Sequence, residues 1–129
     1  MDFPNGLKYT KDHEWLETSA TGAKVGVTQY AVEQLGDIVH VDLPQVGETI
    51  QAGSSFGTIE STKTVSDLYM PLTGKVVEVN KVAVSNPESL QTDPYKNGWL
   101  IKVELAGKPD LSGLLDAASY GKFVNEQEG

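Results

Sequence analysis

Few side chains in this 129-residue chain stand where they could do chemistry. Gly53-Ser54-Ser55-Phe56-Gly57 has the spacing of a nucleophile elbow, which would make Ser55 the serine of a hydrolase. Such an elbow runs from a strand into a helix, and its histidine follows the serine in the chain. Residues 58–65 are instead rich in β-branched side chains, and both histidines, His13 and His40, come earlier. A Gly/Ser turn leading into a strand accounts for the motif. The histidines lack the spacing of a paired metal site, so a metal would have to gather scattered carboxylates. His40 alternates with Ile38 and Asp42, as a half-exposed strand residue would, whereas His13 and Glu14 set two ionisable groups beside Trp15 at the mouth of a strand. Neither G-x-G-x-x-G nor a Walker A motif occurs, so a nucleotide fold has no support.

Lys63 is placed differently. Two β-rich runs, 56–60 and 64–69, flank a short polar segment that contains it, and this pattern predicts a hairpin with Lys63 at or near the tip. Most exposed lysines are merely solvated. A lysine on a rigid turn, however, is what a modifying enzyme needs to reach a side-chain amine.

The elements that would carry such a hairpin are short and mostly extended. Further strands are expected at 13–17, 23–27, 38–43, 75–79 and 99–105, separated by Gly, Pro and Asn. In 38–43, Val39, Val41 and Leu43 fall on one face and Ile38, His40 and Asp42 on the other. Spacings near ten residues suggest a β-sandwich or barrel. Thr28 can cap a helix that ends at Gly36, with Val27 and Val32 as a hydrophobic staple. Residues 86–90 read as a single helical turn. Leu111, Leu114 and Leu115, then Tyr120, Phe123 and Val124, form apolar stripes of a C-terminal helical segment over about 110–127, with a polar, frayed tail over 125–129. Gly-led strands at 46–50 and 73–77 echo each other on either side of the hairpin. No linker divides the chain, so one domain over 1–129 is expected.

Composition narrows the partners. Eighteen acidic residues face ten basic ones, for a net charge of −8, and every basic residue is Lys. Without Arg there is no bidentate fork for phosphate or guanine, and the net charge repels a polyanion. No nucleic-acid partner is expected on this ground, and a basic protein surface fits better. The absence of Cys removes disulfides, Cys-ligated zinc, Fe–S clusters and a thiolate nucleophile. The first residues lack the basic and apolar regions of a signal peptide, and no apolar run approaches the ~18–20 residues of a membrane span. A soluble, non-secreted monomer with no membrane partner is expected.

Taken in order, the residues resemble the H-protein family of the glycine cleavage system over nearly the whole chain. The similarity is carried by Tyr9-Thr10-Lys11-Asp12-His13-Glu14-Trp15, Val25-Gly26-Val27-Thr28, Gln34-Leu35-Gly36-Asp37-Ile38-Val39, Leu43-Pro44 and Val46-Gly47. It continues through Phe56-Gly57, Glu60-Ser61-Thr62-Lys63, Ser66-Asp67-Leu68-Tyr69, 74–80, Asn86-Pro87-Glu88, Asp93-Pro94-Tyr95 and Gly98-Trp99-Leu100. Each piece alone is weak, but their order and spacing are specific. Thr64 and Met70 depart from the small residues commoner at those positions.

The resemblance implies a mainly β fold, a hybrid barrel-sandwich of two small antiparallel sheets (a lipoyl/biotinyl-like hammerhead) with short helices and a C-terminal helix. The lipoyl-like core would span about 23–105, and a pseudo-twofold would explain the internal echo. It also implies a non-catalytic carrier with lipoate on Lys63, in a context formed by Glu60, Ser61 and Asp67. The carrier would take an aminomethyl group from the pyridoxal-phosphate glycine decarboxylase (P-protein) to the tetrahydrofolate-dependent aminomethyltransferase (T-protein). Dihydrolipoamide dehydrogenase (L-protein) would reoxidise the dithiol, and a lipoate-attaching enzyme would install it. Glu14 and His13, with Asp67, would border a cleft that shelters the loaded arm. The compartment would be the cytoplasm, or the mitochondrial matrix for a processed chain. Thr62-Lys63-Thr64 lacks the methionines of a biotinyl site. A relay donating lipoyl groups to other complexes stays open beside the glycine role.

Overall fold

The computed structural model describes residues 3–105 and 111–128. Among these described residues, nine strands form two antiparallel sheets. They are β1 (Lys8–Tyr9), β2 (Glu14–Thr18), β3 (Gly22–Val27), β4 (Ile38–Asp42), β5 (Thr49–Ile50), β6 (Ser55–Ser61), β7 (Val65–Tyr69), β8 (Gly74–Val79) and β9 (Ile101–Leu105). The larger sheet has the order β1-β2-β3-β9-β8-β5 and the smaller β4-β6-β7. Four helices accompany them among the described residues: α1 (Gln29–Leu35), α2 (Lys81–Ser85), α3 (Ser89–Thr92) and α4 (Ala117–Glu128). This is the mainly β architecture expected from the resemblance, and none of the described helices is long and apolar enough to cross a membrane.

The sheets close on one apolar cluster. Leu16, Val25, Val76, Ile101 and Val103 of the larger sheet meet Ile38, Val41, Phe56, Ile59 and Leu68 of the smaller, with Val32 and Leu35 of α1 and Leu90 of α3. A second cluster lies around β1 and β2, where Leu7, Tyr9, Trp15 and Tyr30 pack with Tyr120 and Val124 of α4. Strand β2 is therefore buried on both faces. Alternation sends Leu16 and Glu14 one way and Trp15 the other, and all three are buried.

Local chemistry explains the start and stop of α1. Thr28, extended at φ −76° and ψ 162°, accepts the Ala31 amide on its side chain, and Gly36 ends the helix at φ 82°. That left-handed value favours glycine there. Val27 and Val32 are both buried, as a staple requires. Asn80 does a comparable task inside the fold: its side-chain oxygen caps α2 while its amide donates to the carbonyls of Asn97 and Trp99 at 2.9 and 2.6 Å. Across the larger sheet, Glu17, Lys24, Lys102 and Glu78 stand opposite one another in a row, so the adjacent lysines each have an acid on the outer side.

Four expectations change. A bulge between Ile38 and His40 turns both Ile38 and Val41 inward and leaves Val39 51% exposed, which breaks the alternation expected for 38–43. The C-terminal helix begins only at Ala117, because Leu115 instead forms an antiparallel bridge with Tyr9, closing the outer edge of β1 through two 2.8 Å hydrogen bonds. The segment expected from about 110 thus starts with an edge cover, and residue 110 itself lies outside the described residues. Helix α4 continues through Asn125 to Glu128, where a frayed tail was expected, and Gly129 lies outside the described residues. The last strand starts at Ile101 instead of 99. The echoing segments 46–50 and 73–77 become neighbours, with Thr49 opposite Lys75 and Ile50 opposite Gly74.

Trp15 sets a steric limit on β3. Its ring lies over Gly26, its cross-strand partner, and its Nε1–H donates to the Pro94 carbonyl at 2.9 Å. A Cβ at Gly26 would come within 2.5 Å of the indole. Gly26→Ala should therefore cost roughly 1–3 kcal/mol of stability through overpacking. Urea unfolding will test this, and an unchanged midpoint would contradict it.

Candidate functional site

The hairpin β6–β7 presents Lys63 in a turn of three residues, Thr62, Lys63 and Thr64, all exposed. What holds this turn is Ser61, the last residue of β6 and only 5% exposed. Its hydroxyl oxygen accepts the amides of Lys63 and Thr64 at 3.3 and 3.2 Å and donates to the Thr64 carbonyl at 3.3 Å. Ser61 also donates its backbone amide to Thr64, at 2.8 Å. One short hydroxyl thus satisfies the amides that a tight turn would leave bare. A further clamp comes from outside the hairpin, where the Thr62 amide donates to the Asp37 carbonyl at 3.0 Å, just beyond α1. The root of Lys63 is fixed from two directions.

The Lys63 stem leans over the end of α1. A Cβ on Gly36 would come 3.6 Å from Lys63 Cε and 4.0 Å from Nζ. From there a cavity of about 260 Å³ runs between α1 and the free edge of β7. Val27, Leu35, Ile59 and Leu68 give it apolar surface, and Asp12, His13 and Asp67 give it polar groups. His13 and Asp67, singled out in the sequence, are brought together here. Glu60 is not: it sits on the outer face of the small sheet in a row with His40 and Val65, next to a row formed by Asp42, Thr58 and Asp67.

Glu14 lies one residue from the cavity and is only 2% exposed. Because it shares a face with Leu16, its carboxyl reaches β7, where Oε2 accepts the Tyr69 amide at 2.6 Å. Oε1 is buried with no hydrogen-bond partner. Burial raises this carboxyl from 4.5 to about 8; the Tyr69 amide opposes the shift and the charge of Asp12 adds to it. Burial likewise lowers His13, with the charge of Asp12 working the other way.

His13 has the one positive φ among the described non-glycine residues, +67°. Thr10 and Glu14 pair across a three-residue loop in which the His13 amide donates to the Thr10 carbonyl at 3.1 Å. The third loop position of such a hairpin is left-handed and usually glycine. The sequence alternation around Trp15 gave no sign of this, and Tyr120 and Phe123, which meet the ring, were read only as part of a C-terminal stripe.

Other candidates recede. Ser55 begins β6 and donates its hydroxyl to the Gly57 carbonyl at 3.1 Å, in a strand that runs on with no helix after it. His40 is exposed, 3.5 Å from Asp42. Among the described residues no group of His, Cys, Asp and Glu is arranged to hold a metal.

Residues 7–127 match the family model described as glycine cleavage H-protein. The glycine cleavage system H protein of Bacteroides fragilis is 54% identical over 125 residues, covering 97% of this chain and 99% of that protein. That of Anaeromyxobacter sp. strain K is 48% identical over 128 residues, covering 99% and 100%. The crystal structure of a glycine cleavage system H protein from Mycobacterium marinum superposes with a TM-score of 0.85 at 44% identity, covering 98% of this chain and 100% of that one.

The raised Glu14 carboxyl makes stability depend on pH with a definite sign. Its folded value of about 8 exceeds its ordinary 4.5, so its contribution is whole below about pH 4.5 and is lost as pH rises through about 8. Glu14→Gln keeps an acceptor for the Tyr69 amide and cannot ionise. Wild type should lose stability relative to Glu14→Gln between about pH 5 and pH 9. Thermal unfolding of both proteins at the two pH values checks this, and an equal difference at each would contradict it.

Proposed function

The chain belongs to the glycine cleavage H-protein family, and on that premise we propose that it is a non-catalytic carrier with lipoate joined through an amide to Lys63. The observation that carries this reading is the immobilised turn: an exposed amine on a root held by Ser61 and Asp37, at the mouth of an apolar cleft. The residues fit the group. Val27, Leu35, Ile59 and Leu68 suit an apolar chain, and the arm, about a dozen bonds long, reaches roughly 15 Å from Cα. When bound, the lipoyl group supplies a disulfide/dithiol pair that takes up and gives up the aminomethyl cargo.

The protein's own part is position and shelter. A fixed root with a long tether raises the effective concentration of the arm's end at each station: glycine decarboxylase, aminomethyltransferase and dihydrolipoamide dehydrogenase. Asp37, Asp42, Glu60 and Asp67 surround the hairpin, and the amide removes the charge of Lys63, taking the net charge to −9. The face offered to each partner, and to the lipoate-attaching enzyme, is acidic and suits a basic surface.

Cargo bearing an ammonium group needs its nitrogen kept protonated and water kept away. Asp67, at the cleft edge, holds that charge by a charge-assisted hydrogen bond. Glu14 supplies a second oxygen, its unpartnered Oε1, whose ionised form an arriving cation stabilises. The role of Glu14 rests on the buried geometry of β2 against β7, whereas Asp67 stands exposed on β7. Loss of cargo in Glu14→Ala and Asp67→Ala at the wild-type rate would remove these two residues from the account.

Two variants test the attachment. Intact mass and peptide mapping of protein made in lipoate-competent cells should place a single lipoyl amide on Lys63, and Lys63→Arg should abolish it; a lipoyl group on any other lysine would overturn the assignment. Ser61→Ala keeps the lysine and frees two turn amides. Lipoate attachment to Ser61→Ala should slow by roughly three- to tenfold, the scale of a lost positioning hydrogen bond, and an unchanged rate would contradict the role given to Ser61.

A further inference from the structure

His13 occupies a backbone position that glycine would fill more cheaply, by about 1–2 kcal/mol. Such a residue persists where its surroundings over-determine it. Here they do so from two helices, α4 and α1. Tyr120 Oη, completely buried, lies 2.8 Å from His13 Nδ1 and 2.8 Å from Thr28 Oγ1. The His13 ring centroid also lies 5.9 Å from that of Phe123, one turn further along α4. From the opposite side comes Tyr30 of α1, at 4.7 Å. The His13 carbonyl accepts the Thr28 amide at 3.0 Å, so backbone and ring are both tied to the N-cap of α1.

The donors can be assigned along this chain. Thr28 Oγ1 already accepts the Ala31 amide at 3.3 Å and has one proton to give. It donates to Tyr120 Oη, Tyr120 donates to His13 Nδ1, and the neutral ring then carries its proton on Nε2. Each group then donates and accepts without conflict. The far end of the chain, His13, stands in the wall of the cleft beside Asp12 and Asp67.

We propose that Tyr120 and Phe123 are positioning residues: through one hydrogen bond and one ring contact the C-terminal helix holds the His13 imidazole in the cleft wall and so sets the shape of the space that shelters the arm. This rests on the reading that the loaded arm lies in that cleft. Helix α4, remote in sequence from Lys63 and outside the hairpin, becomes part of the sheltering device instead of a cover for β1 alone.

Tyr120→Phe removes one oxygen and keeps the ring that stacks on Tyr9 with centroids 4.7 Å apart. The test uses ¹⁵N-histidine NMR of the full chain, with intact-mass timing of cargo loss from lipoylated protein charged from glycine by the decarboxylase. In Tyr120→Phe the His13 nitrogen shifts should move away from the Nε2–H tautomer, and cargo loss should quicken roughly three- to tenfold, while lipoate attachment to Lys63 keeps its rate. Phe123→Leu, which removes the ring contact and leaves the Tyr120 hydroxyl, should give the same two changes in lesser degree and decides the matter if Tyr120→Phe does not fold. Ala31→Phe, which fills the cleft, separates the two ideas. If Ala31→Phe hastens loss but neither α4 variant does, or if the His13 shifts stay unchanged, the positioning role is overturned and the cleft reading stands. If Ala31→Phe also leaves the loss rate unchanged, the cleft reading fails and the role fails with it.

Discussion

A long side chain can deliver its end group to a chosen place only if its root does not move. In this fold that constraint is met by one buried hydroxyl. Ser61 satisfies the amides of Lys63 and Thr64, and the Asp37 carbonyl takes that of Thr62, so the turn gains its hydrogen bonds from its own base and from the loop after α1. The remaining architecture can be understood as what keeps Ser61 and Asp37 in register. The bulge at Ile38 and His40 lets β4 leave α1 and still pair with β6, and Gly36 supplies the left-handed residue that the short connection needs.

Strand β2 links this hairpin to the distant end of the chain. Its two buried faces belong to different clusters: Leu16 to the core between the sheets, Trp15 to the aromatic group under α4. Glu14, on the first face, reaches the edge of β7 that the cleft follows, and His13, at the turn before it, enters the cleft wall. A carboxyl half-satisfied and sealed from water is expensive to charge. The same burial that costs stability at high pH gives a site that gains most when a cation arrives.

Much of the fold was legible because it follows local rules. The cap at Thr28, the stop at Gly36, the staple of Val27 and Val32, and the hairpin around Lys63 all depend on neighbours within a few positions. What the sequence hid depends on distant partners. Strand β1 is two residues long and exists because Glu14–Thr18 and Leu115 flank it. Leu111, Leu114 and Leu115 have helical spacing, yet the open edge of β1 takes Leu115 for a bridge, and tertiary pairing overrides propensity. Val39 and Val41 alternate in sequence, and the bulge discards the alternation. In the candidate site, Lys63, Ser61 and Asp67 could be named from pattern and resemblance. The left-handed backbone of His13 could not, because nothing in its own residue type requires it.

The root beneath the long arm is stationary, and amide order parameters measure this at each residue of the turn. In the lipoylated chain, ¹⁵N relaxation at residues 61–65 should give S² near ~0.85, as in the adjoining strands. Values below about 0.6 at Lys63 and Thr64, with rigid strands on either side, would contradict it.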